Sequence, residues 1–245
     1  RSSDLSDAHR VGLNGHDHRM FLADYFTGKF YGSESRGVDF QIDEQSGERR
    51  TSGSTASLTG IEAAAERRDE NALNLAIRRY LCAYAMVFGF GGIPLLYMGD
   101  ELGLVNDSSY LQDPAKAEDN RWIHRPMMNW ELADAATKSS GTVASRIFQG
   151  IQQITQARKI SPSLHASVAT RVKAGRGTGV AIFERNHPAG QMIQVYNLSE
   201  DSRWVSSDEL GDLNGIVENR LSGKKFELGA GITLNPYSAY WLMQA

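Results

Sequence analysis

The stretch Gly91-Gly92-Ile93-Pro94-Leu95-Leu96-Tyr97-Met98-Gly99-Asp100-Glu101, with the loop that runs on to Arg125-Pro126, decides the fold. Ile93 to Tyr97 is a short apolar run without alternation, bracketed by glycines. Such a run reads as a strand buried on both faces, the kind that parallel sheets use. Before it, Leu73, Ile77, Leu81, Tyr84 and Phe88 recur at helical spacing and stop at Gly89-Phe90-Gly91-Gly92. After the loop, Val143, Ile147, Ile151 and Ile154 share one face of a second helix, ended by Ser161-Pro162. Helix, buried strand, long polar loop and helix form the order of a β/α unit. Such folds carry their chemistry on loops at the carboxyl ends of the strands. A loop this long in a compact domain is functional or disordered.

Residues 1 to 16 read as polar and loop-like, and Met20, Phe21, Leu22, Tyr25 and Phe26 as a short amphipathic helix. Residues 28–60 read as an excursion holding a hairpin, with strands near Val38–Ile42 and Arg49–Thr51. Beyond residue 165 the pattern changes to short strand-like runs separated by turns, which predicts an antiparallel β-sandwich. One of those turns is Ala174-Gly175-Arg176-Gly177. The division expected is therefore 1–164 and 165–245.

The chain has 245 residues, 41% hydrophobic and 22% charged, as ordinary globular proteins do. A net charge of −3 argues against general electrostatic binding to nucleic acid or to an anionic membrane. No apolar run approaches the roughly 20 residues that span a bilayer. Cys82 is the only cysteine and cannot form an internal disulfide, so a cytoplasmic setting is expected. Its place in the helical pattern beside Leu81 assigns it to the core. The sequence begins with Arg1 and not methionine, which suggests a piece of a longer or processed chain.

Asp100 and Glu101 are adjacent at a strand end, so their side chains point apart and suit loop anchoring better than shared acid/base work. Arg121 offers a planar fork of donors for sugar hydroxyls or a carboxylate, and an ion pair with Asp113 or Asp119 is the plainer reading. Trp122 and Trp130 could stack on a sugar face or pin the loop. His16-Asp17-His18 lacks a third ligand at a familiar spacing, so no metal is expected. His18-Arg19 and Arg49-Arg50 fit hydroxyl binders at a cleft rim, against a default of solvated charge. Gly175-Arg176-Gly177-Thr178-Gly179 sits between strands and reads as a hairpin turn, not a phosphate loop. These residues contain no convincing acid/base pair.

The stretch from Gly91 to Glu101 resembles the last barrel strand of the α-amylase superfamily. Gln112-Asp113-Pro114-Ala115-Lys116 and Glu118-Asp119-Asn120-Arg121-Trp122-Ile123-His124-Arg125-Pro126 are similar to the amylosucrase and sucrose hydrolase branch. Gly15-His16-Asp17-His18-Arg19 and Gly47-Glu48-Arg49-Arg50-Thr51-Ser52-Gly53 are similar to segments of the same branch. The resemblance implies an α/β fold: the C-terminal part of a (β/α)8 TIM barrel, after strand seven through helix eight, followed by the β-sandwich. It implies a retaining enzyme that cleaves sucrose through a covalent glucosyl intermediate and passes glucose to α-glucan or to water. The motifs bearing the nucleophile, the acid/base and the third carboxylate are not in this sequence, so no catalytic residue is assigned. What carries over is binding. Arg121 matches an arginine that closes the glucosyl pocket through an ion pair with an upstream aspartate. Arg50 matches a residue beside the fructosyl position, Gln41 lies near that subsite, and Arg19 matches one that contacts longer glucans.

The expected partners are therefore sucrose, an α-glucan or water as acceptor, and the N-terminal part of the same enzyme. A homodimer is left open, and no cofactor is expected. The competing reading is a non-catalytic carbohydrate-binding or assembly fragment. A barrel with most strands elsewhere leaves strand edges bare, so order is expected chiefly after residue 165.

Overall fold

The computed structural model describes residues 2–138, 141–173, 177 and 179–245. The turn expected at 174–177 and the hairpin reading of 175–179 lie largely outside these residues. Two units form: residues 1–76 with 98–130, and residues 77–97 with 131–245.

In the first unit, α1 (Ser2–Arg10) and α2 (Gly15–Phe26) precede a hairpin of β1 (Val38–Phe40) and β2 (Arg50–Ser52). Helix α1 corrects the loop expected there; its sequence has too few apolar residues to set a stripe. The Asn14 side chain caps α2, accepting from the His16 and Asp17 amides. The hairpin forms where expected, with Val38 opposite Ser52 and Phe40 opposite Arg50. Short helices α3 (Thr55–Leu58) and α4 (Ile61–Arg67) follow, burying Ala56, Ile61, Ala63 and Ala64. The loop after Gly99 is not structureless. It folds into 3-10 turns at Asp100–Leu102, Ser108–Gln112 and Asn120–His124.

Helix α5 (Glu70–Phe90) carries the expected stripe, with Leu73, Ile77, Tyr84 and Phe88 buried. Helix α6 (Trp130–Thr137) is followed by α7 (Val143–Lys159), which buries Ile147, Ile151 and Ile154. The strand-like runs expected after residue 165 form as eight strands: β3 (Thr170–Lys173), β4 (Val180–His187), β5 (Gly190–Asn197), β6 (Arg203–Ser206), β7 (Ile216–Asn219), β8 (Lys224–Glu227), β9 (Gly231–Leu234) and β10 (Ala239–Gln244). Six make an antiparallel sheet in the order β3-β4-β5-β10-β7-β8, and β6 pairs with β9 in a separate ribbon. Inward residues of both sheets, among them Ile182, Ile193, Val195, Val205, Ile232, Leu234 and Leu242, make one core. Each such burial contributes about 1.5–3 kcal/mol before entropy is charged against it. Cys82 is in the core as expected, and burial pushes its thiol up to about 12.

Arg185 is fully buried and forms no ion pair among the described residues. Its guanidinium donates to the carbonyls of Ser163 (2.7 Å), Phe90 (2.6 Å) and His165 (2.8 Å) and to the Thr170 hydroxyl (2.6 Å). Arg158 donates to the carbonyls of Phe88 and Gly92. Both cations sit at the C-terminal end of α5, where unpaired carbonyls carry partial negative charge.

One expectation fails at the deciding stretch. Residues 93–97 form no strand, and Ile93 and Leu95 are 90% and 80% exposed. A strand buried on both faces needs neighbours on both edges for its backbone groups. Every strand pairing among the described residues is antiparallel and lies elsewhere in the chain.

Candidate functional site

Helix α2 and the β1–β2 hairpin enclose a hollow of about 550 Å³. Arg19, Leu22, Ala23 and Phe26 come from the helix, and Gln41, Asp43, Glu48, Arg49, Arg50 and Thr51 from the hairpin. The chain reverses here through an Asp43 turn. Its carboxylate accepts from the Gln45 (3.0 Å) and Ser46 (2.9 Å) amides, and those bonds, Ser46 first, hold its pKa below the usual carboxylate range. Gln41 enters this turn with φ +50°, a left-handed conformation that costs about 1 kcal/mol or more for a residue with a side chain.

Most charges around the hollow are already matched. Glu48 accepts from Arg19 at 3.2 and 3.3 Å and faces His16 Nδ1 at 3.4 Å. The His16 contact, then that of Arg19, lowers the pKa of Glu48. Arg49, its side chain only 14% exposed, pairs with Asp24 and lies 2.8 Å from Asp39 Oδ1, off the line of a good hydrogen bond. Lys29 also pairs with Asp39. Arg50 is exposed and forms no ion pair among the described residues.

Arg19, Gln41 and Arg50, three of the residues expected to bind substrate, therefore line one hollow. Arg121 is not among its lining residues. It belongs to the Asn120–His124 turn, where the Asp119 side chain accepts from the Arg121 amide. Its guanidinium grips both Asp119 oxygens, Nε and Nη2 each at 2.8 Å, and this fork drives the Asp119 pKa down to about 2. The pair is on the surface, where water and salt screen it. Arg121 also lies 5.8 Å from the Phe40 ring centre, and Phe40 is the residue opposite Arg50.

The turn is docked on the hairpin. Asn120 Nδ2 donates to the Asp39 carbonyl, and Ser52 Oγ lies 2.9 Å from His124 Nδ1. Burial pushes the His124 pKa down, with the positive Arg125 nearby as the next cause. Asn106 supports the same region: its side chain accepts from the Ser54 amide at 2.8 Å and donates to the Arg36 carbonyl, and its backbone N–H donates to the Ser57 hydroxyl. The Trp122 ring takes cation–π contacts from Lys116 (5.1 Å) and Arg125 (5.0 Å) of its own loop. Trp130 is 75% exposed.

Glu101 accepts from the Gly99 amide at 2.9 Å, and buried Asp100 accepts from the Thr55 hydroxyl at 3.0 Å. Both anchor the loop, as their adjacency suggested. No group of three His, Cys, Asp or Glu suited to a metal occurs among the described residues. Nor is any helix among them long and apolar enough to cross a membrane. The carboxylates that match the hollow's cations, Asp24, Asp39 and Glu48, escaped the sequence reading. They are distant in sequence from the basic residues they meet, Glu48 being 29 positions from Arg19, and only the fold joins them.

Residues 170–243 match a family described as amylosucrase, C-terminal domain. The chain is 21% identical over 164 residues to glucosylglycerate phosphorylase of Escherichia coli K12, a match covering 67% of this chain and 28% of that protein. It is similar in fold to AmyP in complex with maltotriose (TM-score 0.58, 16% identity, 77% of this chain and 38% of that one). The α-amylase of Geobacillus thermoleovorans in complex with acarbose is similar too (TM-score 0.51, 16% identity, 77% and 36%). The chain thus spans between a quarter and two fifths of the length of these proteins.

Proposed function

We propose, from the premise that this chain corresponds to a C-terminal portion of the α-amylase superfamily, that it supplies the saccharide-binding hollow of a glucosyl-handling enzyme acting on sucrose. The carrying observation is that Arg19, Gln41 and Arg50 meet around one hollow, with the Arg121 turn docked on the same hairpin. Arginine and glutamine orient hydroxyls through fixed donors without adding a competing nucleophile.

The carboxylates of the hollow suit binding and not bond cleavage. A general acid needs a pKa near the working pH. Asp43 and Glu48 are both held below the usual range and stay ionised. The nucleophile and the acid/base of a retaining reaction come, in this reading, from a part of the enzyme outside this sequence. The glucosyl group then passes to an α-glucan or to water. Exposure of Ile93 and Leu95 supports such a partner, since a barrel strand would pair there. Arg121 would close the glucosyl pocket by releasing Asp119, an exposed partner that gives way readily. A cytoplasmic setting suits this chemistry.

Calorimetric titration with sucrose and maltooligosaccharides tests the reading, with Arg19→Ala and Arg50→Ala as controls. Saccharide binding that survives both substitutions would remove the hollow from the mechanism. Sucrose turnover, assayed for this chain alone and mixed with the upstream part, separates the enzyme reading from a non-catalytic binding module, which exposed Trp130 favours. Turnover by the mixture supports the first, and binding without turnover supports the second.

A further inference from the structure

We infer that the hollow between α2 and the β1–β2 hairpin is built for a saccharide that carries an oxyanion, a carboxylate or a phosphate, which Arg50 receives. The inference rests on the saccharide reading and deepens it.

Charge matching around the hollow carries the argument. Three arginines, Arg19, Arg49 and Arg50, line it against two carboxylates, Asp43 and Glu48. Neither carboxylate forms an ion pair with Arg50 among the described residues. Asp43 is turned onto the Gln45 and Ser46 amides, and Glu48 is engaged by Arg19 and His16. The acids beneath the hairpin are also taken, Asp24 by Arg49 and Asp39 by Arg49 and Lys29. Arg50 is thus the lining cation without an acidic partner among the described residues, in a chain whose overall charge is −3.

A neutral sugar would use the Arg50 donors but not its charge. A hydrogen bond to a charged pair is worth roughly twice a neutral one, and a guanidinium presents two parallel donors to a carboxylate or phosphate. Gln41 lines the hollow beside it and can take the ring hydroxyls.

The test compares three ligands that share one hexose ring: glucose, glucuronate and glucose 1-phosphate. Each is titrated into this chain by calorimetry at low and at physiological salt. The expected result is binding of at least one anion about tenfold tighter than glucose at low salt, with the advantage shrinking as salt rises. Arg50→Gln should abolish the advantage, and Arg50→Lys should keep part of it. Circular dichroism and the thermal midpoint should be unchanged in both, since Arg50 is exposed. Preference for glucuronate names a carboxylate, and preference for glucose 1-phosphate names a phosphate. Equal binding of all three, or an advantage that survives Arg50→Gln, overturns the inference while leaving the saccharide reading standing. Failure of all three to bind overturns both.

Discussion

Ser52 Oγ lies 2.9 Å from His124 Nδ1, and this contact joins the end of β2 to the turn that carries Arg121. The same hydroxyl lies 3.4 Å from the Asn120 carbonyl. One buried serine thus holds both ends of that turn against the hairpin.

The first prediction concerns pH. Burial disfavours the charged form of His124, so its pKa in the folded chain lies below the unfolded value of about 6.5. Between those two values the unfolded state binds more protons. The neutral ring's contribution is complete above about pH 6.5 and is lost as pH falls through the lower, folded pKa. Thermal midpoints from pH 5 to 8 should fall on acidification, and less steeply in His124→Gln. Parallel profiles for the two proteins would contradict the assignment.

The second concerns Arg185. Truncation to Met leaves the carbonyls of Ser163, Phe90 and His165 buried without this donor. Loss of such a network should cost about 3 kcal/mol or more. Urea denaturation measures it, and a change under about 1 kcal/mol would show that water or neighbouring groups take over.

The third separates binding from stability at two adjacent arginines. Arg50→Ala should leave the unfolding free energy measured in urea within about 0.5 kcal/mol of the parent, as exposed positions do. Arg49→Ala leaves Asp24 and Asp39 without their shared cation and should destabilise measurably. Similar losses of stability from both would remove the distinction drawn between a structural and a ligand-facing arginine.

The fourth concerns residues 93–97. Native-state hydrogen exchange should be fast there and slow in β4, β5 and β10, whose strands pair on both sides. Leu95→Asp should leave stability nearly unchanged and reduce self-association, because an exposed apolar segment invites it. Strong protection across 93–97 would mean that the segment pairs with another copy or another element.

Local signals carried much of the architecture. The short strand-like runs after residue 165 became β3 to β10, because alternation and turn residues act over a few positions. The stripes of α5 and α7 and the hairpin at 38–52 were legible for the same reason. Helix α1 was not, since a short polar helix writes no stripe.

For this chain the amino-acid order alone determined most helical and extended segments, α1 and residues 93–97 excepted, and named Arg19, Gln41, Arg50 and Arg121 as candidates for sugar contact. Tertiary structure decided the rest. It left residues 93–97 outside any strand, because a strand exists only beside a neighbour that shares its ladder of hydrogen bonds. It also separated Arg49 from Arg50, matching one with Asp24 and Asp39 and leaving the other at the hollow's wall. Charge pairing depends on distances of a few ångströms between residues far apart in the chain, and no sequence spacing encodes those.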